Sequence, residues 1–234
     1  MGLPFFGCQE SCKVGSVKTS MLTRGRTLDH VAGVYDFLSP LMLFGQEARM
    51  SLHCLEFVKK PGVISVLDIG CGTGTLTVEI GRLLAERGGR VSGIDAAPKM
   101  IDIAVSKASK LANVYFDVTP AESLPFLEDS FDCAVSTFFF HHIDWELKVR
   151  ALDEAFRVLR PGGTLVVIDV DIPSNVFGQI CAWAGYFLFQ QEEIRENIDG
   201  KLRAAMRGSR FGSFEIIGHY QGYISVFRLK KGKV

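Results

Sequence analysis

The residues with the clearest chemistry lie in "VLDIGCGTGTLT", residues 66–77. An apolar run ends at an acid, Asp68, and glycines follow at every second position: Gly70, Gly72 and Gly74. Glycine adopts left-handed backbone and carries no Cβ, so such a turn lets main chain pass close to a ligand. A second acid, Asp95, closes the next apolar run, "RVSGID". A carboxylate there can accept two hydrogen bonds from ribose hydroxyls. A ligand containing a nucleoside is therefore expected across the two.

Two cofactor classes meet that description. A dinucleotide calls for G-x-G-x-x-G, with its pyrophosphate on the N-terminus of the following helix. Here position 75 is Thr75, and Gly74 comes one residue early. A carboxylate at Asp68 would also crowd a diphosphate. S-adenosylmethionine carries no phosphate, and its ammonium and sulfonium are cationic. An acid ahead of the turn suits that ligand and repels the other. No Gly-Lys-Ser/Thr follows, which excludes a phosphate P-loop.

Further along stands "FDCAVSTFFFHHI". Phe138, Phe139 and Phe140 would wall a dry pocket, with at least one of them packed in the core. His141 and His142 are the candidate catalytic residues. An imidazole titrates near neutrality, so one of them could take a proton from a phenol, a thiol or an enolizable carbon. The alternative is that both are structural. Asp169 and Asp171 end another strand pattern and read as caps for the turn at Ser174 rather than as acceptor contacts. His219 reads as structural.

The elements that must position these residues alternate. "VISVLDI", "RVSGID", "NVYFDV", "FDCAVSTF" and "TLVVIDV" are short, β-branched and nearly continuously apolar. Between them lie helical patterns: "TLTVEIGRLLAER", "PKMIDIAVSKASKL" with Pro98 at its start, and "WELKVRALDEAFRVLR", which Pro161-Gly162-Gly163 should stop. Such alternation predicts a parallel sheet covered on both faces. "FEIIGHY" and "YISVFRLK" predict a closing antiparallel hairpin. The expected class is α/β, a Rossmann-like, mostly parallel sheet of seven strands with helices on both faces. Residues 1–26 read as a flexible arm and 27–234 as one domain, with N-terminal helices over 27–60. Residues 172–212 form an insertion on the substrate side. Its aromatics Trp183, Tyr186, Phe187 and Phe189 belong to a lid over a greasy acceptor, to a patch resting on a membrane, or to a buried helix face.

Composition narrows the partners. Lys plus Arg and Asp plus Glu both total 26, so no global field recruits nucleic acid. There is no basic tract and no Asn/Asp-Pro-Pro-Tyr signature beyond the fourth strand, which disfavours a nucleic-acid-modifying enzyme. The chain is 47 % apolar with 18 phenylalanines, a composition that suits a generous core or a greasy pocket. Six scattered cysteines read as free thiols in a reducing compartment. Cys8 and Cys12 lack the second pair a zinc site would need, and no metal is expected. No signal peptide, myristoylation pattern or long apolar span is visible, so the reading is cytoplasmic with peripheral membrane contact left open.

"VLDIGCGTG", "GIDAAPKMIDIA", "AESLPFLEDSFDCAVSTFFFHHI" and "EAFRVLRPGGTLVVID" together resemble the successive motifs of class I S-adenosylmethionine-dependent methyltransferases. In style they are similar to the group that methylates ubiquinone and menaquinone precursors. "LDHVAGVYDFLSPLMLFGQEAR" and "GYISVFRLKK" resemble the first helices and last strand of that group. The resemblance implies transfer of a methyl group from S-adenosylmethionine to a small lipophilic or aromatic acceptor, releasing S-adenosylhomocysteine. It places Gly70, Cys71, Gly72 and Gly74 against the methionyl part and Asp68 near its ammonium. Asp95 would hold the ribose, Ala96 and Met100 would lie along the adenine, and Tyr35 would close over the cofactor. Ala121, Glu122 and Ser136 complete the cofactor set, although Pro120 stands where the family has an adenine-reading acid. A binding protein without catalysis and a nicotinamide-linked oxidoreductase are the competing readings.

Overall fold

Every residue of Ser65–Ile69 (β1) is buried, as an unbroken apolar run predicts for a central strand. In the computed structural model, which describes residues 45–233, β1 is flanked on both sides by parallel neighbours. Arg90–Asp95 (β2) lies on one side and Phe131–Thr137 (β4) on the other. Val114–Val118 (β3) adds beyond β2, and Leu159–Val170 (β5) beyond β4, both parallel. Ile224–Lys230 (β7) pairs antiparallel with β5, and Glu215–Tyr220 (β6) antiparallel with β7. The order β3-β2-β1-β4-β5-β7-β6 delivers the expected seven strands. Strand order reverses between β1 and β4. In an open α/β sheet, the crevice beyond the carboxyl ends at such a point takes the ligand.

Successive residues of a strand face opposite sides, and each side has its own core. Val66 meets Met50, Cys54 and Leu55 of Glu47–Val58 (α1) and Leu76, Ile80 and Leu84 of Thr75–Ala85 (α2). Leu67 meets Leu147 and Leu152 of Trp145–Val158 (α4) on the other side. Pro98–Lys107 (α3) starts at its proline, as expected. The arm, Tyr35, Cys8, Cys12 and most of the expected N-terminal helices lie outside the described residues.

One boundary differs from expectation. α4 ends at Val158, before the proline, and β5 runs through Pro161-Gly162-Gly163 instead of beginning after them. The register against β4 shifts between Phe131 and Cys133. Such an irregularity accommodates a residue that cannot donate to the ladder.

The insertion folds into three helices: Val176–Phe189 (α5), Glu192–Ile198 (α6) and Lys201–Gly208 (α7). Asn175 caps α5, its Oδ1 accepting the Gly178 N–H at 2.7 Å. Gly178 passes so close to Gly222 that a Cβ there would stand 2.3 Å from the Gly222 carbonyl oxygen. Trp183 and Tyr186 are half-buried over Ile194 and Ile198 of α6. Val176, Phe177, Ile180, Phe187 and Leu188 are each more than half exposed, and Phe189 is 39 % exposed. α5 is thus covered on one side only. Among the described residues no helix is long and apolar enough to cross a membrane.

Candidate active site

The three glycines of the turn all have positive φ, at 70°, 53° and 74°, yet they serve different ends. A Cβ on Gly70 would strike the Phe139 ring, and one on Gly74 would strike Ala104 and Phe116. A Cβ on Gly72 would enter open space. Gly70 and Gly74 are therefore glycine so that neighbours can pack, and Gly72 is the residue that bares main chain to a cleft.

That cleft has a volume of about 570 Å³. Gly70, Cys71, Gly72, Thr73 and Thr75 form its floor, and Met50, Thr137, Phe138 and Ile168 are among its walls. Arg82, Glu79 and Lys107 stand on its charged side. Lys107 Nζ donates to Thr73 Oγ1 at 2.9 Å and Thr75 Oγ1 at 2.8 Å, bracing the turn from α3. Nothing in the sequence marks Lys107 for that role. No side chain caps α2, so its first-turn N–H groups face the turn as a mildly electropositive end.

Asp95 is tied to the turn. Its Oδ2 accepts the Gly72 N–H at 3.0 Å and its Oδ1 the Ala97 N–H at 2.9 Å. A carboxylate oxygen can accept more than one hydrogen bond, so a carboxylate at this strand end suits ribose hydroxyls. Asp68 is 1 % exposed. Its Oδ2 accepts the Thr77 hydroxyl at 2.6 Å, and its Oδ1 has no partner among the described residues. Burial pushes its carboxyl up to about 7, helped by the Asp95 charge and opposed by the Thr77 hydrogen bond. An unsatisfied buried acceptor beside a second carboxylate is a place where positive charge is favoured.

The other expected cofactor residues take varied positions. Ala96 is half-buried after β2. Met100 is 2 % exposed and packs with Ala97 and Ile103. Ala121 is buried in the core on the α4 side, with half-buried Glu122 after it. Ser136 departs from expectation. It is fully buried, and its hydroxyl donates to Ile69 O at 2.9 Å, so it fastens β4 to β1 instead of facing the cleft.

The three phenylalanines divide. Phe138 lines the cleft with an unusual φ of 54°, its N–H held by Ile168 O at 2.8 Å. Phe139 packs on Gly70, and Phe140 is fully buried in the core. A short 3₁₀ turn, Phe140–His142, follows. His141 Nδ1 lies 2.7 Å from Asp169 Oδ1, and the ring stands edge-on to Phe138 with centroids 6.4 Å apart. His142 Nδ1 lies 3.0 Å from Gln191 Oε1, and the two imidazoles are 3.9 Å apart.

Asp169 and Asp171 therefore do not cap the turn at Ser174. Asp169 serves His141, while Asp171 accepts both Arg203 Nε at 2.7 Å and Ser225 Oγ at 2.5 Å. Ser174 pairs with His219 at 2.7 Å, and His219 also reaches Ser225 at 2.9 Å, a structural role as expected. Asp169, Gln191 and Asn197 were missed as site residues. The period of β5 buries Asp169, but no local pattern joins it to a histidine 28 residues earlier.

A family model described as a methyltransferase domain matches residues 66–163. The chain is 30 % identical over 225 residues to a ubiquinone/menaquinone biosynthesis C-methyltransferase of Cronobacter sakazakii, covering 86 % of each. It is 32 % identical over 148 residues to the corresponding enzyme of Blochmanniella floridana, covering 62 % of this chain and 57 % of that one. A solved S-adenosylmethionine-dependent methyltransferase from Aquifex aeolicus shares the fold with TM-score 0.59 and 22 % identity, over 88 % of this chain and 99 % of that one. The chain belongs to the class I S-adenosylmethionine-dependent methyltransferases. Within that class it resembles the ubiquinone/menaquinone C-methyltransferases. The cofactor of the class is S-adenosylmethionine, and the open space over Gly72 with the unpartnered Asp68 oxygen fits it.

Proposed function

We propose that the protein methylates a small lipophilic aromatic acceptor carrying an ionisable hydroxyl, of the quinone-precursor kind. The observation that carries this reading is the arrangement around Phe138. Phe138 and Gly72 line the same cleft, and the His141 ring stands edge-on to Phe138 with centroids 6.4 Å apart. The two bacterial relatives are named for ubiquinone and menaquinone biosynthesis.

When bound, the cofactor supplies a methyl group already activated on a sulfonium, whose sulfur leaves as a neutral sulfide. Asp95 accepts the ribose hydroxyls, and the main chain at Gly72 admits the methionyl part. His141 takes the acceptor's hydroxyl proton at Nε2, raising electron density on the ring carbon that gains the methyl group; that carbon then gives up its own hydrogen as a proton to solvent, and His141 returns its proton to the oxygen. Phe138 keeps water from that carbon. Alignment of this kind supplies roughly 7–11 kcal/mol, so the chain's main task is positioning.

α5, with no charged residue between Val176 and Phe189, supports a lipophilic acceptor delivered from a bilayer surface on the cytoplasmic side. Calorimetry with S-adenosylmethionine, S-adenosylhomocysteine and NAD tests the cofactor. Labelled methyl transfer to a short-chain demethylated naphthoquinol tests the acceptor. Binding of NAD alone would overturn the first, and a label recovered only in polar products the second.

A further inference from the structure

Asp169 is fully buried and receives donors on both oxygens. Phe140 N–H reaches Oδ2 at 2.7 Å, and Val170 N–H reaches Oδ1 at 2.7 Å. Asn197 Nδ2 of α6 approaches Oδ1 at 3.4 Å. Backbone N–H groups can only donate, so the carboxylate faces them, and the His141 ring beside them, as an acceptor. His141 Nδ1 is 2.7 Å away. We infer that Asp169 is a positioning residue: it fixes His141 as the Nδ1–H tautomer and thereby leaves Nε2 as the basic atom presented to the acceptor.

Three features support more than a structural contact. His141 is 12 % exposed at its side chain and fully paired at Nδ1, while Nε2 has no protein partner among the described residues. The same carboxylate oxygen pair holds the Phe140 N–H, so the turn carrying the imidazole and the imidazole itself are set by one group. The carboxylate is in turn steadied from the insertion, because Asn197 lies in α6 and Gln191 just before it holds His142. Ionisable groups near the turn include His142, Lys148 of α4 with Glu196 of α6, and Glu193 of α6. Among the described residues, Asp169 is the one that hydrogen-bonds His141. A carboxylate on one imidazole nitrogen raises the basicity of the other and selects the tautomer, and replacing it by an amide in comparable dyads exchanges the tautomer.

The inference rests on the reading of His141 as the base, and the test separates the two. Long-range proton–nitrogen spectra of histidine-labelled protein report the tautomer of His141 without any acceptor, with His141→Gln supplying the assignment. The expected result is Nδ1–H in the parent protein, and in Asp169→Asn a mixed or Nε2–H tautomer. An Nε2–H tautomer in the parent, or spectra unchanged by the substitution, would overturn the positioning role. In parallel, labelled transfer to the short-chain naphthoquinol is followed against pH. A loss of roughly 10²–10⁴-fold in kcat with an unchanged KM and cofactor Kd is expected for Asp169→Asn. Intact pairing with undiminished turnover in His141→Gln would remove the base while leaving the tautomer assignment standing.

Discussion

Thr77 donates its hydroxyl to Asp68 Oδ2 at 2.6 Å, while Asp68 Oδ1 receives nothing from the described residues. The acid at the head of the glycine turn is therefore half-satisfied inside the protein and raised from 3.8 to about 7 by burial. The folded chain keeps a proton there that the unfolded chain releases above about pH 4. Stability from this group is complete below that pH and is lost as pH rises through about 7. The rise amounts to ~4 kcal/mol at ~1.36 kcal/mol per pH unit. Urea unfolding of the cofactor-free protein should show that decline, and Asp68→Asn should flatten it. Cofactor affinity of the parent should rise between pH 6 and 8 as Asp68 ionises, and the same variant should lose that gain. Parallel slopes for the two proteins would refute both expectations.

Gly72→Ala and Gly74→Ala should differ in kind. An alanine at 72 meets open space and pays only for left-handed backbone, about 1–2 kcal/mol. It should weaken the cofactor at least tenfold in calorimetry. An alanine at 74 collides with Ala104 and Phe116 at 2.7 Å, so thermal melts should show the larger loss of stability there. Normal cofactor binding by Gly72→Ala would mean the cleft is not where the cofactor lies.

Lys148 is wholly buried, donating to Ile143 O at 2.5 Å and Glu196 Oε2 at 3.1 Å. Lys148→Ala strips a donor from the end of the histidine turn and half the partners from Glu196. A loss of about 3 kcal/mol in urea unfolding is expected. Glu196→Gln should cost less, because Glu196 is partly exposed and Lys201 shares it. Equal costs would place the effect elsewhere.

Phe187→Glu with Leu188→Glu should leave stability within about 0.5 kcal/mol, since both side chains are largely exposed. Co-sedimentation of the parent protein with neutral phosphatidylcholine vesicles is expected, insensitive to salt because α5 is uncharged, and the pair of substitutions should abolish it. Undiminished sedimentation of the variant would move the membrane contact off this helix.

The sheet was legible because its signals are local. Five apolar runs, each closed by a polar residue or a turn, set the strands, and the acids Asp68 and Asp95 fell where strand ends meet a ligand. The start of β5 was misjudged because Pro161 ends helices reliably, and only the shifted register against β4 shows how a strand takes it in. Ser136 looked like a cleft residue from its place at a strand end, but pleating turned it inward. Asp169, Gln191 and Asn197 come to the histidines from β5 and the insertion. Such pairings depend on tertiary packing, to which spacing along the chain gives no clue.

The close passage of Gly178 over Gly222 leaves no room for a single methyl group, and it fastens α5 at its first turn. Farther along, that helix rests on α6 through Ala182, Trp183 and Tyr186. Side chains on its outward turns can therefore change at little cost to the fold, whereas any side chain at position 178 must displace the Gly222 main chain.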